Sequence, residues 1–156
     1  MPVLFDPIKI GGLTPSNRIV VSPMCQYSAV DGIAQDWHII HIGNLMMSGA
    51  GLVIMVATAI EAIGRITHRC LGLYDDAQET MLAGLVNKVK KLSGAAIGIQ
   101  LSHAGRKGSN RNIADRWKGE VLPPEEGAWQ TIGPSPSHSK KAGPCRRKCQ
   151  WRISFL

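Results

Sequence analysis

A thiol and a phenol stand two residues apart in Ser22-Pro23-Met24-Cys25-Gln26-Tyr27-Ser28, just after the apolar run Ile19-Val20-Val21. Thiols are weak donors and potential nucleophiles, whereas a phenol donates a strong hydrogen bond and keeps its proton at neutral pH. Further polar side chains sit at the ends of two other apolar runs: Thr58 after the second, and Gln100, Ser102 and His103 at the third. His38 and His41 are three apart on a helical segment with no third ligand evident, so helix packing or exposure is expected and no metal. Cys145 and Cys149, spaced CxxxC, lack the partner pair a zinc site needs. With Cys25 and Cys70 they make four cysteines, too unevenly spread for a secreted disulfide framework, and reduced thiols are expected.

The elements that would position these groups follow a regular grammar. Ile8 to Leu13, with Gly11-Gly12, reads as a small hairpin, Thr14-Pro15-Ser16 as a turn, and Ile19 to Val21 as a short strand without polar alternation. Runs of that kind occur where both faces of a strand are covered, as in parallel sheets flanked by helices. A loop through Asp31-Gly32 leads to a helix over about 36–48, with Ile39, Ile42, Leu45 and Met46 at helical steps and a stop at Gly49 or Gly51. Leu52 to Ala57 is a second buried strand. Asp76 is placed to cap the next helix, with Glu79 three further on, Leu82, Leu85, Val86 and Val89 on one face, Lys88, Lys90 and Lys91 at its carboxyl end, and Gly94 beyond. Ala96 to Leu101 is the third strand.

The order β, α, β, α, β fits parallel crossover units. An open dinucleotide-binding sheet needs a glycine loop after its first strand, and SPMCQYS has none; Gly49-Ala50-Gly51 precedes a strand, not a helix. In a closed (β/α)8 barrel the chemistry gathers past the carboxyl ends of the strands, which is where these polar residues fall. The expected fold is therefore α/β, a partial (β/α)8 TIM barrel comprising its first three β/α repeats.

At 156 residues and 44% hydrophobic content the chain has the make-up of one globular domain. No apolar run is long enough for a membrane span, and residues 1–10 have no basic segment followed by an apolar one, so no membrane partner and a cytoplasmic location are expected. The net charge of +7 is unevenly placed. Residues 1–136 hold twelve Lys and Arg against eleven Asp and Glu, while 137–156 hold six basic residues and no acid. Such a tail can contact phosphate backbones, but a short solvated run is the simpler reading, and no nucleic acid is expected.

Three separated segments carry a family resemblance: LFDPIKIGGLTPSNRIVVSPMCQYS, GLVIMVATAI with GRIT after it, and IGIQLSHAGRK. Together, from about Leu4 to Pro136, they resemble the amino-terminal third of the Old Yellow Enzyme family, FMN-dependent NAD(P)H oxidoreductases on a (β/α)8 barrel. The cysteine-bearing form is similar to the bacterial branch of NADPH dehydrogenases and xenobiotic reductases. The resemblance implies FMN as cofactor, NADPH or NADH as reductant, and an activated alkene such as an enone as substrate. It puts the backbone of Ser22, Pro23, Met24 and Cys25 against the flavin, Ala57 by the ring and the Gln100 amide on the pyrimidine edge. It gives Cys25 and Tyr27 the catalytic roles, the thiol tuning the flavin and the phenol holding a substrate carbonyl. His103 and Arg106, also within a family segment, are expected to hold a loop. Family members are often homo-oligomeric.

Beyond Gly133-Pro134-Ser135-Pro136 the resemblance stops. One free choice of codons for 137–156, read one base on, spells FQEGWPVPEEMSVEDIV, which again looks like the family. Residues 1–136 are thus expected to be the amino-terminal part of the oxidoreductase barrel, and 137–156 a basic, out-of-frame and disordered tail. The family's substrate-gripping histidine pair, its basic residue facing the flavin and its phosphate-binding loops are absent from the preserved part. Two alternatives to an active enzyme follow: a nonfunctional truncated product, and, less favoured, a basic-tailed nucleic-acid-binding module.

Overall fold

In a computed structural model the described residues are 3–112, 120–133, 145–146 and 152–155. Three parallel strands alternate with two helices: β1 (Val20–Val21), α1 (Asp36–Met46), β2 (Leu52–Ala59), α2 (Asp76–Val89) and β3 (Ala96–Ser102). β1 pairs with β2 and β2 with β3, all parallel. This is the partial barrel expected from the sequence.

The helices cover one face of the sheet. Ile42 and Met46 of α1 and Leu82, Leu85 and Val89 of α2 pack on Val53, Met55, Val56, Ile97 and Ile99, and Met46, Val53, Met55 and Val89 are wholly out of solvent. Ile39, Leu45 and Val86 complete the expected helical faces from their margins. β2, central and covered by both neighbours, is the continuous apolar strand that double burial selects.

β1 departs from that expectation. Val21 packs on the core, but Val20 is 45% exposed. The strand is an edge, and alternation turns Val20 to the face away from the helices. Two ladder positions cannot fix a register unaided, and Asn17 does so by side chain. Its Nδ2 donates to the Gly49 carbonyl at 2.8 Å, and its Oδ1 accepts from the Gly51 and Ile19 amides at 2.9 and 3.0 Å. Gly51 must be glycine for this approach, because a Cβ there would lie 2.5 Å from the Asn17 carbonyl oxygen. Gly49, at φ +84°, is the expected helix stop.

The cap of α2 shifts by one residue. Asp75, not Asp76, is the N-cap, its carboxylate accepting from the Ala77 amide at 2.8 Å. Glu79 therefore falls one position past the capping-box site, which Gln78 occupies. The helix ends at Val89, so Lys88 alone of the three lysines lies in its last turn, and Gly94 stands clear of the cap.

The second edge of β3 is covered. β6 (Arg152–Phe155) pairs antiparallel with Gly98–Leu101, and β5 (Cys145–Arg146) pairs with β4 (Thr131–Ile132). Both strands fall within the segment expected to be disordered; the rest of 137–156, Cys149 included, lies outside the described residues. An apolar groove of about 450 Å³ runs beside α2, lined among others by Met55, Leu82, Val86 and Ile99.

The capping assignment is testable by urea denaturation. Asp75→Ala should cost about 1 kcal/mol, whereas Asp76→Ala, which removes only a charge near the helix start, should cost about half that or less.

Candidate active site at the carboxyl ends of the strands

Strand register decides which side chains meet. Met55 pairs with Ile99 and Ala57 with Gln100, so Val56 is one residue too many and β2 bulges there. The bulge keeps Val56 on the core side, 4% exposed, and brings Ala57 beside Gln100 on the face turned from the helices. Thr58 holds the distortion, its hydroxyl donating to the Val56 carbonyl at 2.9 Å. Wholly buried and satisfied by its own strand, Thr58 belongs to the scaffold.

The loop after β1 folds over this point. Ser22 and Met24 are exposed, and Pro23, Cys25 and Tyr27 are half-buried. The Ala57 amide and the Tyr27 hydroxyl lie beside the Cys25 thiol and interact with it electrostatically. Tyr27 adopts φ +49°, a region that side chains with a Cβ seldom enter. Thiol and phenol thus stand side by side at the mouth of the sheet. A narrow cleft with no room for a water molecule lies between them and the loop after β2, lined by Cys25, Tyr27, His38, Ala57 and Cys70 among others.

The cleft is electrically quiet. Burial first, then the neighbouring Cys70, pushes the Cys25 thiol up, only partly offset by Ala57 and Tyr27 beside it. Tyr27 is pushed up to about 12, chiefly by burial and then by the two cysteines. Burial pushes the His38 imidazole down, so it stays neutral, with Nδ1 accepting from the Gln35 amide at 3.1 Å.

Gln100 is half-buried, and among the described residues none hydrogen-bonds its side-chain amide. His103 is 5% exposed and accepts from the Gly105 amide at 3.0 Å, organising the turn after β3. The loop after β2 is anchored by Trp129, which donates to the Ile63 carbonyl and lies edge-on to His68 and beneath Arg65. Among the described residues no cluster of His, Cys, Asp and Glu could hold a metal.

The structure therefore gathers Cys25, Tyr27 and Ala57 around one cleft and places Gln100 beside Ala57, drawing on three consecutive strand ends; Ser22 to Met24 precede Cys25 in the same loop. Sequence reasoning missed the contribution of Cys70, which shares no local pattern with Cys25. It also left His38 out of the site, although this buried helix residue lines the cleft.

Residues 3–141 match the NADH:flavin oxidoreductase / NADH oxidase family. An NADH:flavin oxidoreductase of Gibberella zeae is 47% identical over 106 residues, covering 68% of this chain and 25% of that protein. The NADPH dehydrogenase of Geobacillus thermodenitrificans is 42% identical over 142 residues, 90% of this chain and 39% of that protein. Among solved structures, a morphinone reductase superposes with a TM-score of 0.70 at 28% identity, covering 92% of this chain and 34% of its own. The chain thus spans between a quarter and two-fifths of the lengths of these proteins.

The raised phenol makes stability fall in alkali. Folded Tyr27 keeps its proton where the unfolded chain, with an ordinary value of 10.0, has lost it. Its contribution is complete below about pH 10 and is lost as pH rises through about 12. Urea unfolding across that window should show a decline that Tyr27→Phe flattens; equal slopes in both proteins would refute the assignment.

Proposed function

This chain belongs to the NADH:flavin oxidoreductase / NADH oxidase family, and from that membership we propose that it carries the ring-facing part of an FMN site for NAD(P)H-dependent reduction of activated alkenes. The observation that carries this reading is the meeting of Cys25, Tyr27 and Ala57 in one cleft, with Gln100 paired beside Ala57, at the ends of three parallel strands.

The residues suit the group. An isoalloxazine is a flat apolar body with a polar rim. Ala57, small and half-buried beside Gln100, leaves room for a ring face, and the Gln100 amide, which no described residue hydrogen-bonds, can both donate to and accept from a pyrimidine edge. The backbone of Ser22 to Cys25 forms the adjoining wall. Bound FMN would supply the redox chemistry, taking hydride from NAD(P)H and passing it to the β-carbon of an alkene such as an enone. Cys25, held protonated, sets the polarity near the ring without acting as a nucleophile. The Tyr27 hydroxyl keeps its proton beside a sulfur that accepts only weakly, and can donate it to a carbonyl oxygen, a stronger acceptor, to hold the substrate.

A second reading, an inactive product, is favoured by the apolar surface left in solvent: the groove beside α2 and the exposed Val20, Met24 and Ile60. Weak flavin binding and a tendency to aggregate would follow. Residues 137–156 are proposed to be out-of-frame translation separate from the barrel segment 1–136. A DNA read across their codons in which no one-base change restores a family-like frame would end that view. Among the described residues no helix is long and apolar enough to cross a membrane, and we place the protein in the cytoplasm.

Flavin fluorescence titration and NADPH consumption with an enone test these readings. Gln100→Leu should weaken FMN binding about tenfold, the worth of one or two hydrogen bonds. Equal affinity in the variant removes Gln100 from the site, and no binding by the parent leaves the inactive product.

A further inference from the structure

Gln78 is 3% exposed, deep beneath the first turn of α2, and both ends of its amide are used. Oε1 accepts from the Tyr74 amide at 3.0 Å, and Nε2 donates to the Asp31 carbonyl at 3.0 Å. The second bond spans 47 residues and joins the two loops that face the cleft.

Its target explains its importance. Val30 and Ile33 exchange two backbone hydrogen bonds around Asp31-Gly32, whose φ values are +49° and +77°. Both central residues being left-handed, this is the primed two-residue hairpin turn. The carbonyl of the first central residue is not used in closing such a turn, and Gln78 satisfies it. Beside that bond the Gly72 amide donates to the Gly32 carbonyl at 2.9 Å, and the Ala29 amide to the Arg69 carbonyl at 3.1 Å. Glycine at both crossings leaves Gln78 its place: a Cβ on Gly32, at φ +77°, would lie 2.4 Å from Gln78 Nε2, and one on Gly72 would lie 2.4 Å from Tyr74 Cε1 and 2.8 Å from Gln78 Oε1, so the amide would have to shift.

The seam fastened in this way has Cys25 and Tyr27 on one lip and Cys70 and Leu71 on the other, with His38 and Ala57 at its floor. We propose that Gln78 is a positioning residue for Cys25 and Tyr27: by tying the Asp31-Gly32 hairpin to the loop after β2, it sets how closely thiol and phenol sit against Cys70. It touches neither residue and acts through the hairpin. The proposal builds on the site described above, but its readouts need no flavin, so it stands or falls apart from the FMN reading.

The test uses the whole chain in a Tyr74→Phe background, which leaves Tyr27 as the single phenol, because the sequence holds two tyrosines. Gln78→Met keeps length and apolar bulk but removes both hydrogen bonds; Gln78→Glu keeps the acceptor for Tyr74 and loses the donor to Asp31. In Gln78→Met the phenolate absorbance of Tyr27 should titrate about one pH unit lower, toward the ordinary value near 10. Iodoacetamide labelling of Cys25, read by peptide mass spectrometry, should quicken about tenfold as burial is relieved. Gln78→Glu should move both readouts the same way. A Gln78→Met protein with a parental circular dichroism spectrum and parental Tyr27 and Cys25 behaviour overturns the proposal. Should that variant unfold, Gln78→Glu decides by the same two readouts, and unfolding of both variants overturns a local positioning role in favour of a global one.

Discussion

One extra residue in β2 governs the arrangement of everything that faces the cleft. With regular pairing from Met55 onward, Val56 would sit opposite Gln100 and Ala57 opposite Leu101. The bulge returns Val56 to the core, puts the smaller side chain next to the amide, and brings Ala57 beside Cys25. A ladder interrupted at one point has thus produced the space at the carboxyl end of the sheet. Thr58 makes the interruption stable by satisfying the Val56 carbonyl from within the same strand.

Around that point the protein has assembled ionisable groups and kept them uncharged. Cys25 and Tyr27 are biased toward their protonated forms and His38 toward its neutral one, in every case with desolvation as the first cause. Charge in such a place would come from whatever binds there. Neutral donors already oriented by packing need no rearrangement to meet it, which is the physical sense of preorganisation.

What could be read from the sequence was what depends on periodicity and on local chemistry. β2 and β3 were legible because burial on both faces leaves an unbroken apolar run, and the helical stripes because Ile42, Met46, Leu82, Leu85 and Val89 recur at helical steps. The same run hid the bulge, since an all-apolar strand has no alternation whose phase could reveal an inserted residue. Val20 was misread for a related cause: apolar character does not tell a covered strand from an edge whose inner face is open. Asp75 and Asp76 are equally competent caps, and the choice between them follows from Gln78, whose two partners lie outside the helix. Cys70 could not be found at all, because its place depends on two loops meeting in space.

Asn17 and Gly51 illustrate how unevenly information is spread along such a chain. β1 is too short for its own side chains to dictate alignment, so a single carboxamide and a missing methyl group at its neighbour perform the task. The two valines of β1 therefore need only be apolar for the strand to keep its alignment. The asparagine and the glycine are bound to each other, and a change at either would have to be answered at its partner for the first strand to stay in step.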